Sequence, residues 1–220
     1  MEKKLIIRIL ILYPVFVYAF LFLPAGSFKF WQAWIYSVML LIPMILTLLY
    51  LVKNDRDLLK RRLRLEEKEK KQKTIVRLFR LPFILGFLIP GFDYRFNLSD
   101  VPTILVIISN IMVFLGYLWV YFVFRENSYT SRIIEVEKEQ KVISTGPYSI
   151  VRHPMYLGMI IMFLFTPLAL GSWWALAIFA LVPLIMILRI LNEESVLLKN
   201  LPGYKDYCQK TTYRLIPFVW

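Results

Sequence analysis

The sequence predicts an all-α, polytopic transmembrane bundle, and the prediction rests on its composition and on the length of its apolar runs. Of the 220 residues, 59% are hydrophobic and 19% are charged, whereas soluble domains have about 45–50% apolar and about 25% charged residues. A helix of about 20 apolar residues crosses the roughly 30 Å of hydrocarbon in a bilayer, and several runs reach that length. An ordinary water-soluble globule is therefore excluded. The single cysteine also excludes an intramolecular disulfide and a thiolate zinc cluster, and we expect no metal site.

Six apolar runs are candidate spans. They cover residues 5–23, 31–52, 81–90, 101–124, 155–170 and 173–188. The third is short, so the bundle has about six spans, or five if that segment does not cross. Gly171-Ser172 separates the last two runs and leaves room only for a tight turn, which predicts an antiparallel helical hairpin. We treat 1–220 as one integral membrane domain, with N-terminal spans in 1–100 and the chemistry in 101–220.

The basic residues predict the orientation, because Lys and Arg collect in short cytoplasmic loops. With six spans and a cytoplasmic N-terminus, only Lys29 and Arg95 of the 27 basic residues lie in outside loops. We therefore expect a multi-pass integral membrane protein with both termini in the cytoplasm. The tryptophans at the outer ends of the spans are expected to be interfacial anchors.

Residues 53–80 form the predicted basic cytoplasmic loop, with twelve Lys and Arg residues. Leu58, Leu59, Leu63 and Leu65 form a weak apolar stripe, so the segment has two interpretations. It is a solvated loop that sets the topology, which we favour, or a helix that binds anionic lipids at about 1 kcal/mol per basic residue. Nucleic-acid binding is not expected, because no aromatic platform is interleaved with these charges.

The chemistry-bearing residues concentrate in two segments. Residues 144–158 hold the only histidine, His153, next to Arg152 at the start of the fifth span. Pro154 suits the first turn of a helix, where free N–H groups and the helix dipole favour a carboxylate or phosphate. After the sixth span, Arg189 and Glu193 are four residues apart and can form an ion pair on one helix face, while Glu194 points elsewhere. The tail beyond them is aromatic and polar, and we expect it to fold back over this end of the bundle.

The order of these motifs resembles the isoprenylcysteine carboxyl methyltransferase family, which is related to phospholipid N-methyltransferases. A GPY-x3-RHP-x-Y-x-G loop spans residues 146–158, Glu193-Glu194 follow the hairpin, and Gly203-Tyr204 to Tyr207 form a compressed version of the tail motif. The resemblance covers about residues 110–220.

The resemblance implies a membrane methyltransferase that uses S-adenosylmethionine (SAM) and acts on a hydrophobic acceptor, most specifically by carboxyl O-methylation of an isoprenylcysteine-type substrate. It implies that Arg189 orients an anionic acceptor and that Glu193 and Glu194 hold polar groups of the cofactor. His153 or a glutamate is the candidate general base if the acceptor is an amine or thiol. The remaining cofactor-binding residues implied by the resemblance are Tyr148, Val151, Arg152, His153, Pro154 and Tyr156.

Two other functions remain open at this point. The tail from Tyr213 to Pro217 also resembles membrane sterol reductases, which use NADPH but usually carry Asn where Met155 stands. A non-enzymatic lipid-binding protein is the third interpretation, supported by the basic segment. No GxG occurs among the eight glycines, so a Rossmann fingerprint is absent.

Overall fold

The computed structural model describes residues 11–64, 66–67 and 69–220, and every regular element within these ranges is helical. The first helix, α1, contains a π-helical stretch at Tyr18–Phe22. The helices are α1 (Ile11–Ala25), α2 (Trp31–Asn54), α3 (Arg56–Arg62), α4 (Lys70–Phe96), α5 (Thr103–Glu126), α6 (Pro154–Ala169), α7 (Trp173–Phe179), α8 (Leu181–Asn200) and α9 (Tyr204–Lys210). The predicted all-α class is confirmed for the described part of the chain.

Four helical segments are long and apolar enough to cross a bilayer. They are α2, α4, α5 and the nearly continuous pair α7 and α8, which together run from Trp173 to Asn200. Helices α1 and α6 are apolar but shorter; the 16 residues of α6 reach about 24 Å at 1.5 Å per residue. The count of six spans therefore stays a prediction. Residues 5–10 of the first predicted span, like Leu65 of the predicted apolar stripe, lie outside the described residues.

The third apolar helix is longer than the sequence predicted. The structure has a 27-residue helix, α4, where the sequence indicated a span over 81–90 only. Arg77 and Arg80 had set the predicted boundary, but both are exposed side chains on a helix that already begins at Lys70. Pro82 and Pro90 are both inside this helix, as packed bundles allow.

The basic segment 53–80 is largely helical, and its place in the cytoplasm stays a prediction. Helix α3 occupies its middle and the first turns of α4 occupy its end. Leu58 is fully buried and Leu59 is 8% exposed, both within the main hydrophobic core, while Leu63 is exposed. Helix α3 therefore presents its first two leucines to the protein interior and not to a lipid surface. Asp55 caps it by accepting a hydrogen bond from the Leu58 N–H at 2.9 Å.

The predicted hairpin is confirmed. Gly171, with φ of +72° in the left-handed region, makes the turn between α6 and α7, and the Ser172 hydroxyl caps α7 by accepting from the Ala175 N–H. Helix α6 also lies against α5, with which it forms the most extensive helix pair of the fold. There Gly158 and Gly116 let the two backbones meet: a Cβ on Gly158 would lie 2.8 Å from the Gly116 carbonyl oxygen.

Contacts between loops define two ends of the bundle. At one end, the Trp173 N–H donates to Ser99 Oγ at 3.1 Å, and Gly171 lies against the Gln32 side chain. At the other end, Arg61 donates to the Ser128 carbonyl at 2.7 Å. The first end holds exposed Trp31, Trp34, Trp173 and Trp174. The second end, which we call the basic end, brings together α3, the start of α4, the 127–153 segment, the end of α8 and the tail.

Candidate functional site

A cleft opens at the basic end of the bundle, with an empty volume of about 810 Å³ that includes its mouth. Its walls are the segment 127–143, the start of α6, one face of α8 and the beginning of α9. Among its lining residues are Tyr148, Arg152, His153, Pro154, Met155, Tyr156, Arg189, Glu193, Tyr204 and Tyr207.

The C-terminal tail folds back onto the loop before α6, as predicted. The N–H groups of Arg152 and His153 donate to the carbonyls of Tyr213 and Arg214, each at 2.9 Å. The Tyr207 hydroxyl donates to the Tyr148 carbonyl at 2.7 Å. The sequence had suggested that N–H groups at this helix start are free to bind an anion. These two are instead occupied by the protein's own tail.

Glu194 is the centre of a buried cluster that joins α8, the α6 loop and the tail. Its carboxylate accepts from Arg214 Nε at 2.8 Å and lies 3.3 Å from His153 Nε2 and 3.3 Å from Arg152 Nε. Only 5% of Glu194 is exposed, and a carboxylate so deeply buried requires such partners. Glu194 therefore joins α8, the α6 loop and the tail through these contacts, and its predicted contact with a cofactor stays a prediction.

Glu193, the neighbouring carboxylate, faces the cleft together with Tyr156 and Arg189. The Tyr156 hydroxyl accepts from Arg189 Nε at 2.9 Å and donates to the Glu193 carboxylate. Arg189 and Glu193 do not form the direct ion pair that their spacing predicted, because the Tyr156 hydroxyl lies between them. Arg189 is held further by Gln72 Oε1 at 3.2 Å and by the Arg132 carbonyl at 2.8 Å. A positive and a negative group are therefore fixed side by side on the cleft wall.

The structure brings most of the predicted site residues together. Tyr148, Arg152, His153, Pro154, Tyr156, Arg189 and Glu193 line one cleft although they come from two separate segments. Val151 and Glu194 do not line it: Val151 is fully buried in the protein, and Glu194 belongs to the ion cluster behind the wall. The role of each residue toward a ligand stays a prediction.

Two tail tyrosines complete the cleft and were not among the predicted site residues. Burial raises the pKa of both Tyr204 and Tyr207 above the ordinary value, so both hydroxyls stay neutral. Tyr207 is bonded to Tyr148, but the buried Tyr204 hydroxyl has no hydrogen-bond partner among the described residues. An unpaired buried hydroxyl costs about 1–3 kcal/mol, which a polar ligand in the cleft would recover. The Gly203-Tyr204 motif was the sequence signal for these residues.

Residues 104–202 match the family model of phospholipid methyltransferases. The predicted relationship is confirmed at the level of this family. The matched segment begins in α5 and ends just after α8, so it contains the α6 loop, Arg189, Glu193 and Glu194, while Tyr204 and the rest of the tail lie beyond it.

The match over residues 104–202 and the four apolar helices together indicate an integral membrane protein that is similar to phospholipid methyltransferases in this segment. The match does not distinguish the isoprenylcysteine carboxyl methyltransferases from other members. The site draws on both halves of the chain, because Gln72 and Glu69 near the start of α4 bond to Arg189 and Asn192 of α8.

Proposed function

We propose that the protein is a SAM-dependent membrane methyltransferase that methylates the carboxylate of a hydrophobic, isoprenylcysteine-type acceptor. The observation that carries the proposal is the Arg189–Tyr156–Glu193 arrangement on the cleft wall, within the segment that matches the methyltransferase family. It combines an acidic group suited to a cationic cofactor with a guanidinium suited to an anionic acceptor.

The cleft residues fit SAM chemically. The Glu193 carboxylate suits the ammonium or ribose hydroxyls, and the unpartnered Tyr204 hydroxyl supplies a further polar contact. Bound SAM supplies an electrophilic methyl group on a sulfonium. Glu194 would support this binding indirectly, by keeping Tyr204 and Tyr207 of the tail against the cleft.

Arg189 is the residue we assign to the acceptor. A guanidinium binds a carboxylate through two parallel hydrogen bonds and fixes its direction, and orientation is a large part of catalysis in such a displacement. In the transfer, a carboxylate oxygen forms a bond to the methyl carbon as the carbon–sulfur bond breaks, leaving a methyl ester and a neutral thioether. No proton is removed, so no base is needed. His153, next to Glu194, then serves the tail and not the acceptor.

We also propose that the basic end faces the cytoplasm. Lys29 and Arg95 belong to the opposite end, whereas the basic helices α3 and the start of α4 lie beside the cleft. Lys and Arg residues in the short connections between spans collect on the cytoplasmic side, where anionic lipids attract them. SAM would arrive from the cytoplasm, and a lipid-like acceptor from between the helices.

The acceptor is tested by turnover of purified protein with methyl-labelled SAM and either N-acetyl-S-farnesyl-cysteine or phosphatidylethanolamine. We expect methyl ester formation on the farnesyl-cysteine. Arg189→Gln should lower kcat/KM by about 100-fold, which corresponds to about 2.7 kcal/mol of lost transition-state stabilisation. The exposed Arg77→Gln on α4 is the matched control and should keep full activity. Methylation of phosphatidylethanolamine alone would contradict the proposed acceptor.

A further inference from the structure

Arg62, on α3, contacts two residues that line the cleft, although it is far away from them in sequence and outside the family segment. Its Nη1 donates to the Ser131 carbonyl at 3.2 Å, and Arg189 Nη2 donates to the next carbonyl, that of Arg132, at 2.8 Å. The two guanidinium groups also contact consecutive residues of α6, since Arg62 Nη1 is 3.7 Å from Met155 Sδ and Arg189 bonds to Tyr156. Arg62 therefore reaches the cleft wall through Ser131 and Met155, and Arg189 reaches it through Tyr156.

Arg62 has only neutral partners among the described residues. Besides Ser131 and Met155, its guanidinium lies over the Phe124 ring at 4.9 Å, and no carboxylate of the described chain is within 4.0 Å of it. Arg61 and Arg64, its neighbours along the chain, do have carboxylate partners: Arg61 pairs with Glu137 at 3.5 Å, and Arg64 contacts Glu135 and Glu137. Arg62 is thus distinguished from the surface arginines that surround it.

The charge balance around Arg62 favours an anion. A guanidinium has five N–H donors, and a buried charge without a counter-ion is strongly destabilising. Burial lowers the pKa of Arg62, and the positive charges of Arg132 and Arg189 lower it further. Of the carboxylates near this wall, Glu193 is bonded to Tyr156, Glu135 contacts Arg64, and Glu67 accepts from the Ile134 N–H. An incoming carboxylate would relieve the repulsion between Arg62 and Arg189 and occupy their remaining donors.

We propose that Arg62 and Arg189 together form the site that binds the anionic group of the acceptor, with Arg62 as a specificity-determining residue. This inference rests on the proposed function and adds a residue from the N-terminal half of the chain to it. Ser131 and Met155, which contact Arg62, both line the cleft, so the α3 side of the cleft is where the acceptor carboxylate lies. The methyl donor then lies next to it, towards Glu193 and Tyr204.

The test measures binding of N-acetyl-S-farnesyl-cysteine and of its uncharged carboxamide to detergent-purified protein by calorimetry, without any methyl donor. The native protein should bind the carboxylate more tightly than the carboxamide. Arg62→Gln should weaken carboxylate binding by about tenfold, or 1.4 kcal/mol, and leave carboxamide binding unchanged. Arg62→Lys, which keeps the charge, should recover part of the loss. Lys60→Gln, an exposed position on the same helix, is the matched control and should change neither affinity.

Two outcomes would overturn the inference. If Arg62→Gln weakened the binding of both compounds equally, Arg62 would only hold the 131–132 backbone. If it weakened the binding of neither compound, the carboxylate would bind elsewhere. SAM affinity and the thermal unfolding midpoint are measured on the same variants and should stay at native values. Failure of the proposed function has a different signature, because native protein would then bind no SAM or transfer no methyl group to the farnesyl-cysteine.

Discussion

Replacing Glu194 with glutamine is expected to release the C-terminal tail and, as a consequence, to weaken SAM binding by about tenfold or more. The carboxylate is shared by Arg152, His153 and Arg214. Removing the charge leaves Arg152, whose side chain is only 9% exposed, without its counter-ion. Breaking a buried ion pair costs about 3–5 kcal/mol, and the tail is the element that this cluster holds.

Limited digestion with trypsin measures the tail directly, because the exposed Lys205 and Lys210 lie in helix α9, which must detach and unfold before trypsin can cut there. Glu194→Gln should be cut there faster than native protein, while Glu193→Gln should be cut at the native rate, since Glu193 contacts Tyr156 and not the tail. Equal digestion of the native protein and Glu194→Gln would contradict the structural role of the cluster.

Enlarging Gly158 is expected to have the second large effect, because α5 and α6 meet there backbone to backbone. A Cβ would lie 2.8 Å from both the Gly116 carbonyl oxygen and Val120 Cγ2, and a backbone oxygen within a helix cannot move aside. Alanine usually stabilises a helix by about 1 kcal/mol relative to glycine. Overpacking at a close contact destabilises the folded protein by about 1–3 kcal/mol, which outweighs this gain. Gly158→Ala should therefore lower the unfolding midpoint, and Gly158→Leu should prevent a stable fold.

Thermal unfolding in detergent and SAM titration check this prediction together. Shifting the start of α6 moves Pro154, Met155 and Tyr156 of the cleft, so Gly158→Ala should lose SAM affinity as well as stability. Leu184→Ala, at an exposed position of α8, is the control and should behave as native. A Gly158→Leu protein of native stability would show that the helices do not meet closely.

The sequence predicts the parts of the fold that depend on local pattern. The α6–α7 hairpin follows from Gly171-Ser172 between two apolar runs, and the turn with positive φ is found there. The loop before α6 and the pair Glu193-Glu194 are recognisable because their residue types and order are distinctive. The helix that contains Arg189 and Glu193 places both on one face, which the 3.6-residue period dictates.

What the sequence does not predict depends on contacts between distant segments. The length of α4 was underestimated because Arg77 and Arg80 look like a boundary, although exposed arginines at the end of a long helix are compatible with it. Glu193 and Glu194 have different partners because the tail docks on Glu194 through Arg214, which is twenty residues away in sequence. Arg62 looks like one of many loop charges; only the contacts with Ser131, Met155 and Phe124 distinguish it.

The most direct test of the proposed cofactor is calorimetric titration of the detergent-purified protein with SAM, with its demethylated product and with NADPH. We expect SAM and its product to bind and NADPH not to bind. Glu193→Gln should weaken SAM binding by about tenfold, since charge-assisted hydrogen bonds are roughly twice as strong as neutral ones and each 1.4 kcal/mol is a factor of ten. Binding of NADPH alone would assign the cleft to reductase chemistry, and an unchanged SAM affinity in Glu193→Gln would remove the proposed cofactor site.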